Sequence, residues 1–294
     1  MGNDFTAFIA KMAEGWIKEQ EIRTADWFEG EILYCGKCKE PRRERRDVNG
    51  TSILTTRQCL CDRLQEEAKK KAEAEKARVD RVKLLKERSM MDEMNLTQTF
   101  DNFLDNEHNA RQKKIAIQYC EKFPDMLKKN TGLLFWGGVG NGKTFLSACI
   151  ANRLIENLHP VVMTSFNKLL GKIETLKSFS SQESEEEFIE RLNEASLWII
   201  DDLGTERDTT YALEKVYQLV NSRYNAQKPI LLTTNLTMGQ MMNESNIRLA
   251  RIYDRIFEMC YPVEFKGPSM RRIAANRNFQ TTKQLLEKGY EETN

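Results

Sequence analysis

No stretch of the 294-residue chain approaches the roughly 18–20 consecutive apolar residues of a membrane-spanning helix, so a membrane protein is not expected. The N-terminus carries acids and no signal-type apolar core, which argues against secretion. Net charge is almost absent: 45 basic against 44 acidic residues leave +1. Overall charge therefore argues neither for nor against nucleic acid, and a DNA-binding surface would have to come from local clustering. Histidine is nearly missing, and neither His108 nor His159 has a catalytic context. Cysteine is scarce outside one segment: of 7, four fall between positions 35 and 61. An odd total so unevenly placed suits metal in a reducing cytoplasm better than disulfides. Cys120, Cys149 and Cys260 lie in apolar contexts and are expected as buried core thiols. With 40% hydrophobic and 30% charged residues, one sizeable core in one or two domains is expected.

Three regions follow from the pattern: residues 1–62, a charged helical linker over 63–95, and an α/β domain over 96–294. In the first, Phe5, Phe8, Ile9, Met12, Trp16 and Ile17 recur at helical spacing. From Asp62 to about Arg88 the chain is rich in Glu, Lys, Arg and Ala and has no Gly or Pro, as in a solvated helix. Its apolar seam is too sparse for a coiled coil. Beyond it, helices predicted over 110–122, 145–157 and 211–225 alternate with strands over 132–136, 161–165, 197–200, 229–234 and 263–265. Leu197-Trp198-Ile199-Ile200 is apolar on both faces, as a buried parallel strand should be. Alternation of this kind predicts an α/β fold with a doubly wound parallel sheet.

Residues 137–144 read Gly-Gly-Val-Gly-Asn-Gly-Lys-Thr, a complete P-loop between a predicted strand and a predicted helix. Backbone N–H groups of Gly138, Val139, Gly140, Asn141 and Gly142, with Phe145 opening the helix, would cradle phosphates at the helix N-terminus. Lys143 would reach the β- and γ-phosphates, and Thr144 would hold Mg²⁺. Downstream, the buried strand ends in Asp201-Asp202, the Walker B pattern. Asp201 would bind Mg²⁺, and Asp202 would orient the attacking water. Asn235 ends the next strand and could bond the γ-phosphate or the water, with Thr233 and Thr234 as competitors. Two arginines stand where charge could be met: Arg255, with rivals Arg248 and Arg251, and Arg271, with rival Arg272.

Cys35-Gly-Lys-Cys38 and Cys59-Leu-Cys61 give a knuckle and a tighter C-x-C pair, 20 residues apart. Four thiolates at such spacing would bind Zn²⁺ in a closed, structural site. The alternative is free thiols beside a basic loop over 41–58, whose Arg42, Arg43, Arg45, Arg46 and Arg57 could touch DNA phosphates. Over 165–179, Lys168, Lys172 and Lys177 interleave with Phe166 and Phe179, which suits single-stranded DNA. There Phe166, Leu169, Leu170, Ile173 and Leu176 read as an amphipathic core stripe, leaving the lysines for DNA. Residues 178–187 read as an exposed loop.

Together, Thr99-Phe100-Asp101-Asn102-Phe103, Ile200-Asp201-Asp202-Leu203-Gly204-Thr205-Glu206, Thr234-Asn235-Leu236, Asp254-Arg255-Ile256 and Phe265 leading to Ser269-Met270-Arg271 resemble the DnaC/DnaI-type replicative helicase loaders and the related IstB transposition helper ATPases. The resemblance covers roughly 96–280. It implies an AAA+ ATPase that uses ATP and Mg²⁺, assembles head to tail as a homo-oligomer, binds single-stranded DNA and delivers a hexameric replicative helicase. It implies that Asn235 is sensor 1, Arg255 an arginine finger completing a neighbour's site, and Arg271 sensor 2. It implies a bacterial cytoplasmic protein, encoded by a cell, a phage or another mobile element. It also implies that the zinc-bearing N-terminal domain docks on the helicase. Only 29 residues follow Phe265, which fits the minimal lid of this group. The Walker B pair departs from the Asp-Glu common among AAA+ proteins, which puts the hydrolysis rate in question. Two other functions fit the motifs: an IstB-like transposition helper, and a nucleotide-gated DNA-binding adaptor with negligible hydrolysis.

Overall fold

The computed structural model describes residues 23, 25–48, 50–176, 183–205 and 209–291. The apolar positions expected on a helix from Phe5 to Ile17, and Lys177 and Phe179, lie outside the described residues. Two compact units are present, Met1–Asp80 and Arg81–Asn294.

In the first unit, β1 (Trp27–Glu29) pairs antiparallel with β2 (Ile32–Tyr34), and β3 (Arg43–Val48) with β4 (Thr51–Thr56). The basic segment over 41–58 is thus a hairpin and not a loop. Its Asn-Gly pair is a strong hairpin signal, with Gly50 at φ +81° and its N–H held 2.9 Å from Asp47 Oδ1. Helix α1 (Leu60–Arg88) follows, and the division between units falls within it.

The second unit is built on a five-stranded, wholly parallel sheet in the order β6-β7-β8-β5-β9. The strands are β5 (Gly132–Gly137), β6 (Val161–Ser165), β7 (Leu197–Leu203), β8 (Ile230–Thr234) and β9 (Cys260–Phe265). Alternation assigns side chains to opposite faces. Leu133, Phe135, Ile199, Leu231 and Val263 pack in one core with α2 (Ala110–Glu121), α3 (Phe123–Lys128) and α4 (Lys143–Glu156). Leu134, Trp198, Ile200 and Leu232 pack in the other. That face carries α5 (Phe166–Leu176), α6 (Glu185–Glu194), α7 (Thr210–Asn225), α8 (Met238–Met242) and α9 (Ile247–Met259). Covering both faces is why the central strands are apolar throughout. Cys120, Cys149 and Cys260 are buried, as expected.

Helix α6 begins inside the stretch expected to be a loop. Ser184 and Glu187 form a capping box in which the Ser184 hydroxyl accepts from Glu187 N–H and the Glu187 carboxylate from Ser184 N–H, so the helix starts at Glu185. After β9 the described chain forms one helix, α10 (Met270–Glu291). No helix among the described residues is long and apolar enough to cross a membrane.

Candidate functional site

The P-loop, the Asp201-Asp202 pair, Asn235 and Arg271 meet at the carboxyl edge of the sheet, where open α/β sheets bind ligands. The P-loop leaves β5 and enters α4. Gly140 is left-handed at φ +81°, and a Cβ there would lie 2.2 Å from Ser269 Oγ, so glycine is required. The loop is tied to the chain after β9: Met270 N–H donates to Gly140 O (2.9 Å), and Asn141 Nδ2 donates to Phe265 O (3.1 Å).

Lys143 is 5% exposed, and its ammonium donates to Gly137 O (2.8 Å), Gly138 O (2.7 Å) and Asn235 Oδ1 (2.9 Å). Thr144 Oγ1 lies 3.0 Å from each carboxylate oxygen of Asp201. Thr233 donates its hydroxyl to Asp201 Oδ1 (2.6 Å) and accepts from Asp202 N–H (2.9 Å). Thr234 turns to Leu203 O instead. Of the three candidates at this strand end, Asn235 meets the P-loop lysine and Thr233 braces the acidic pair.

Asp202 stands in the left-handed region at φ +58°, where the β7–β8 register shifts between Ile200 and Leu203. A side chain there costs roughly 1–2 kcal/mol of backbone strain. The bulge separates two adjacent carboxylates: Asp201 points to Thr144 and Thr233, while Asp202 lines a cavity of about 450 Å³. Lys143, Thr144, Phe145, Asn235 and Arg271 line the same cavity, as does the loop from Val139 to Gly142.

Electrostatics follow from burial. Loss of solvent pushes the Asp201 carboxyl up, and Asp202 adds to this, against the Thr233 and Thr144 hydroxyls and the Lys143 charge. Burial likewise pulls the Lys143 ammonium down, opposed by Asp202 and Asp201. Extra positive charge in this pocket would favour the ionised form of Asp201.

Arg255 is not among the residues lining that cavity. It lies over the Tyr217 and Tyr224 rings, 5.4 and 4.9 Å from their centroids, and donates to Tyr217 Oη (3.2 Å). Arg248 and Arg251 line a separate cavity of about 270 Å³ beside Tyr217 and Glu214. In α5, Phe166, Leu169, Leu170 and Ile173 are buried, as the stripe predicted. Lys168 forms a 2.5 Å ion pair with Asp92.

In the first unit, the sulfurs of Cys35, Cys38, Cys59 and Cys61 lie within 4.8 Å of one another. A tetrahedral zinc–thiolate site with ~2.3 Å bonds has sulfur–sulfur edges of roughly 3.8 Å, so the cluster can hold a metal with little adjustment. Gly36 permits the knuckle, because a Cβ there would come within 2.2 Å of Ala25 O. Burial would raise the Cys38 thiol, but N–H groups of Cys61 and Glu40 and the Cys35 and Cys59 thiols outweigh it and bring it down to about 6. Arg42 is 6% exposed and pairs with Asp26 (2.5 Å) and Asp62 (3.3 Å), and Asp26 accepts from Gly36 N–H (2.9 Å). Arg42 therefore braces the cysteine cluster and is not open to phosphates. Arg45 pairs with Glu31, and Arg46 and Arg57 with Glu44.

Residues not anticipated as site members also line the main cavity: Met94, Asn95, Gln98, Leu104 and Met270. Met270 lies within the Ser-Met-Arg motif, and the others lie near the Thr-Phe-Asp-Asn-Phe motif in sequence.

The profile of the family described as IstB-like ATP binding protein matches residues 54–278, most of the chain. The chain belongs to that family. Among relatives of this IstB-like protein, the phage-like element PBSX protein XkdC of Bacillus subtilis (strain 168) is 33% identical over 163 residues, 53% of this chain and 57% of the relative. The replicative helicase loader DnaC of Escherichia coli (strain K12) is 26% identical over 162 residues, 54% of this chain and 62% of the relative. The matches thus span less than two thirds of either relative. The crystal structure of DnaI aligns at a TM-score of 0.50 and 25% identity, covering 61% of this chain and 93% of that one. That of the DnaC helicase loader aligns at 0.50 and 19% identity, covering 60% and 100%, and supports the shared fold. The second unit is an AAA+ P-loop domain of the DnaC type.

Proposed function

We propose that this IstB-like ATP binding protein is an ATP-dependent loader that binds a hexameric replicative DNA helicase and delivers it to single-stranded DNA at the start of replication. The observation that carries this reading is the meeting of Lys143, Thr144, Asp201, Asp202 and Asn235 at one sheet edge, in a chain similar to proteins named as helicase loaders. Phosphate oxygens of ATP would replace the Gly137, Gly138 and Asn235 partners of Lys143. The Thr144 hydroxyl and the Asp201 carboxylate are hard oxygen donors that suit Mg²⁺, and the bound ion would neutralise phosphate charge. Asp202, turned into the cavity, would orient the attacking water, and Asn235 would bond the γ-phosphate or that water. Arg271 would read the nucleotide from its own subunit as sensor 2. Arg255, away from its own cavity, would serve a neighbour's site in a head-to-tail homo-oligomer. The four cysteines would hold a structural Zn²⁺ in a helicase-docking domain, with residues 63–95 as linker to an ATPase domain over 96–294.

Capture of the host's replicative helicase on this protein, compared with ATP, with ADP and without nucleotide, tests the reading. Nucleotide-dependent retention is expected, and no retention in any state overturns it. The family match also favours a second reading, a transposition helper ATPase, for which the partner retained would be a transposase. A nucleotide-gated adaptor would be indicated by ATP turnover equally negligible in the wild type and in Asp202→Asn, with or without single-stranded DNA.

A further inference from the structure

Two residues of β7 share one partner on β8. Ile200 pairs with Leu232 and Leu203 with Thr234, so Asp201 and Asp202 both stand opposite Thr233. An extra residue of this kind is a β-bulge, which disrupts the ladder and re-aims a side chain. The core shows the effect. Ile200 and Leu203, three apart, pack on the same face of the sheet, where strict alternation would put them on opposite faces. By that alternation Asp202 would join Ile200 on the face away from α4. It lines the cavity beside the P-loop instead.

The bulge is held by hydroxyls. Thr233 is fully buried and bridges the two acids with one oxygen: it donates to Asp201 Oδ1 (2.6 Å) and accepts from Asp202 N–H (2.9 Å). Thr205 donates its hydroxyl to Asp202 O (2.8 Å), and Thr234 donates to Leu203 O (2.8 Å). Both backbone polar groups of Asp202 thus meet a threonine hydroxyl, at a residue whose φ of +58° is unfavourable for a side chain. Of these hydroxyls, only that of Thr233 touches both acids.

We infer that Thr233 is a positioning residue for the acidic pair: its hydroxyl holds the bulge that turns Asp202 into the cavity and fixes Asp201 against Thr144. This rests on the reading of the cavity as a site for nucleotide and Mg²⁺. Without the hydroxyl, the Asp202 N–H loses its partner in the bulged arrangement, and a one-residue slip returns Asp202 to the opposite face. Asp201 loses its shortest hydrogen bond at the same time.

Calorimetric titration of the full-length protein with ADP, with Mg²⁺ and with a chelator in its place, tests this without hydrolysis. The wild type is expected to bind more tightly with Mg²⁺. Thr233→Val keeps the shape but removes the hydroxyl. It should cut that Mg²⁺-dependent gain by about tenfold and leave the affinity in chelator within about twofold, while Thr233→Ser should retain the gain. In a crystal structure of the Val variant, Asp202 should leave the left-handed region and its carboxylate the cavity. If Val is not accommodated, Thr233→Ala removes the hydroxyl without bulk. An unchanged gain, an unchanged bulge, or equal weakening with and without Mg²⁺, as a merely structural role would give, overturns the assignment alone. A wild type that binds no ADP, or gains nothing from Mg²⁺, overturns the reading of the cavity and this assignment with it.

Discussion

Lys143 Nζ lies 2.9 Å from Asn235 Oδ1, so the P-loop lysine is linked to the tip of the neighbouring strand. Two backbone carbonyls complete its donor set. Such a lysine is preorganised: it exchanges fixed partners for phosphate oxygens instead of being ordered from solvent. Charge-assisted hydrogen bonds are worth about 1.5–3 kcal/mol each, so Lys143→Ala should weaken ATP binding by at least a hundredfold, approaching abolition. Asn235→Ala leaves the lysine its carbonyl partners and should hold ATP affinity within about tenfold while slowing turnover. Calorimetry and a phosphate-release assay separate the two effects.

The raised Asp201 carboxyl predicts opposite effects on stability and activity. A folded-state value above the unfolded one means that this group favours the fold at low pH, and that the contribution is lost as pH rises through the raised value. At neutral pH the buried carboxylate therefore costs the nucleotide-free protein stability. Asp201→Asn should leave its Tm unchanged or higher, and should lower Mg²⁺-dependent hydrolysis by about a hundredfold or more. As pH falls, Mg²⁺-dependent nucleotide binding in the wild type should begin to fail above the ordinary carboxylate range. A lower Tm in the variant would contradict the burial argument.

Arg255 stacks on Tyr217 and Tyr224 and stays out of its own subunit's cavity. If it serves a neighbour, Arg255→Ala should bind ATP as the wild type does but lose the rise in specific activity with protein concentration. Loss of a trans-acting arginine can remove roughly 10³-fold or more of turnover. Hydrolysis at the wild-type rate would refute the assignment.

The cysteine cluster predicts one zinc per chain in protein purified reduced and without chelator, measured by metal analysis. Cys38→Ser, or removal of the metal by a chelator, should unfold the first unit, because binding energy at such sites is folding energy. Circular dichroism and proteolysis of residues 23–62 would report this, with ATP binding by the second unit as the internal control. Absence of stoichiometric zinc would refute the site.

Much of the site was legible because its groups lie in contiguous motifs. A P-loop must turn on glycines between a strand and a helix, so 137–144 announced both the phosphate end and the local fold. Leu197 to Ile200, apolar on both faces, announced a covered parallel strand and made Asp201-Asp202 a strand-end pair. The Cys35–Cys61 spacing announced four convergent sulfurs. Other features depend on residues distant in sequence. Nothing near Thr233 says that it braces Asp201, and nothing near Arg42 says that it is buried against Asp26 and Asp62. Both relationships arise only when separate segments are packed side by side.

What the sequence determined by itself is the chemistry available: phosphate cradle, acidic pair, strand-end asparagine and cysteine quartet, each set by spacing along one segment. What only the tertiary structure decided is which groups face which. The bulge at Asp202 turns two adjacent carboxylates to different surroundings, and the pairing of β7 with β8 brings the Thr233 hydroxyl to the first of them. Such choices depend on register and on competition for hydrogen-bond partners across the fold, which no local pattern encodes.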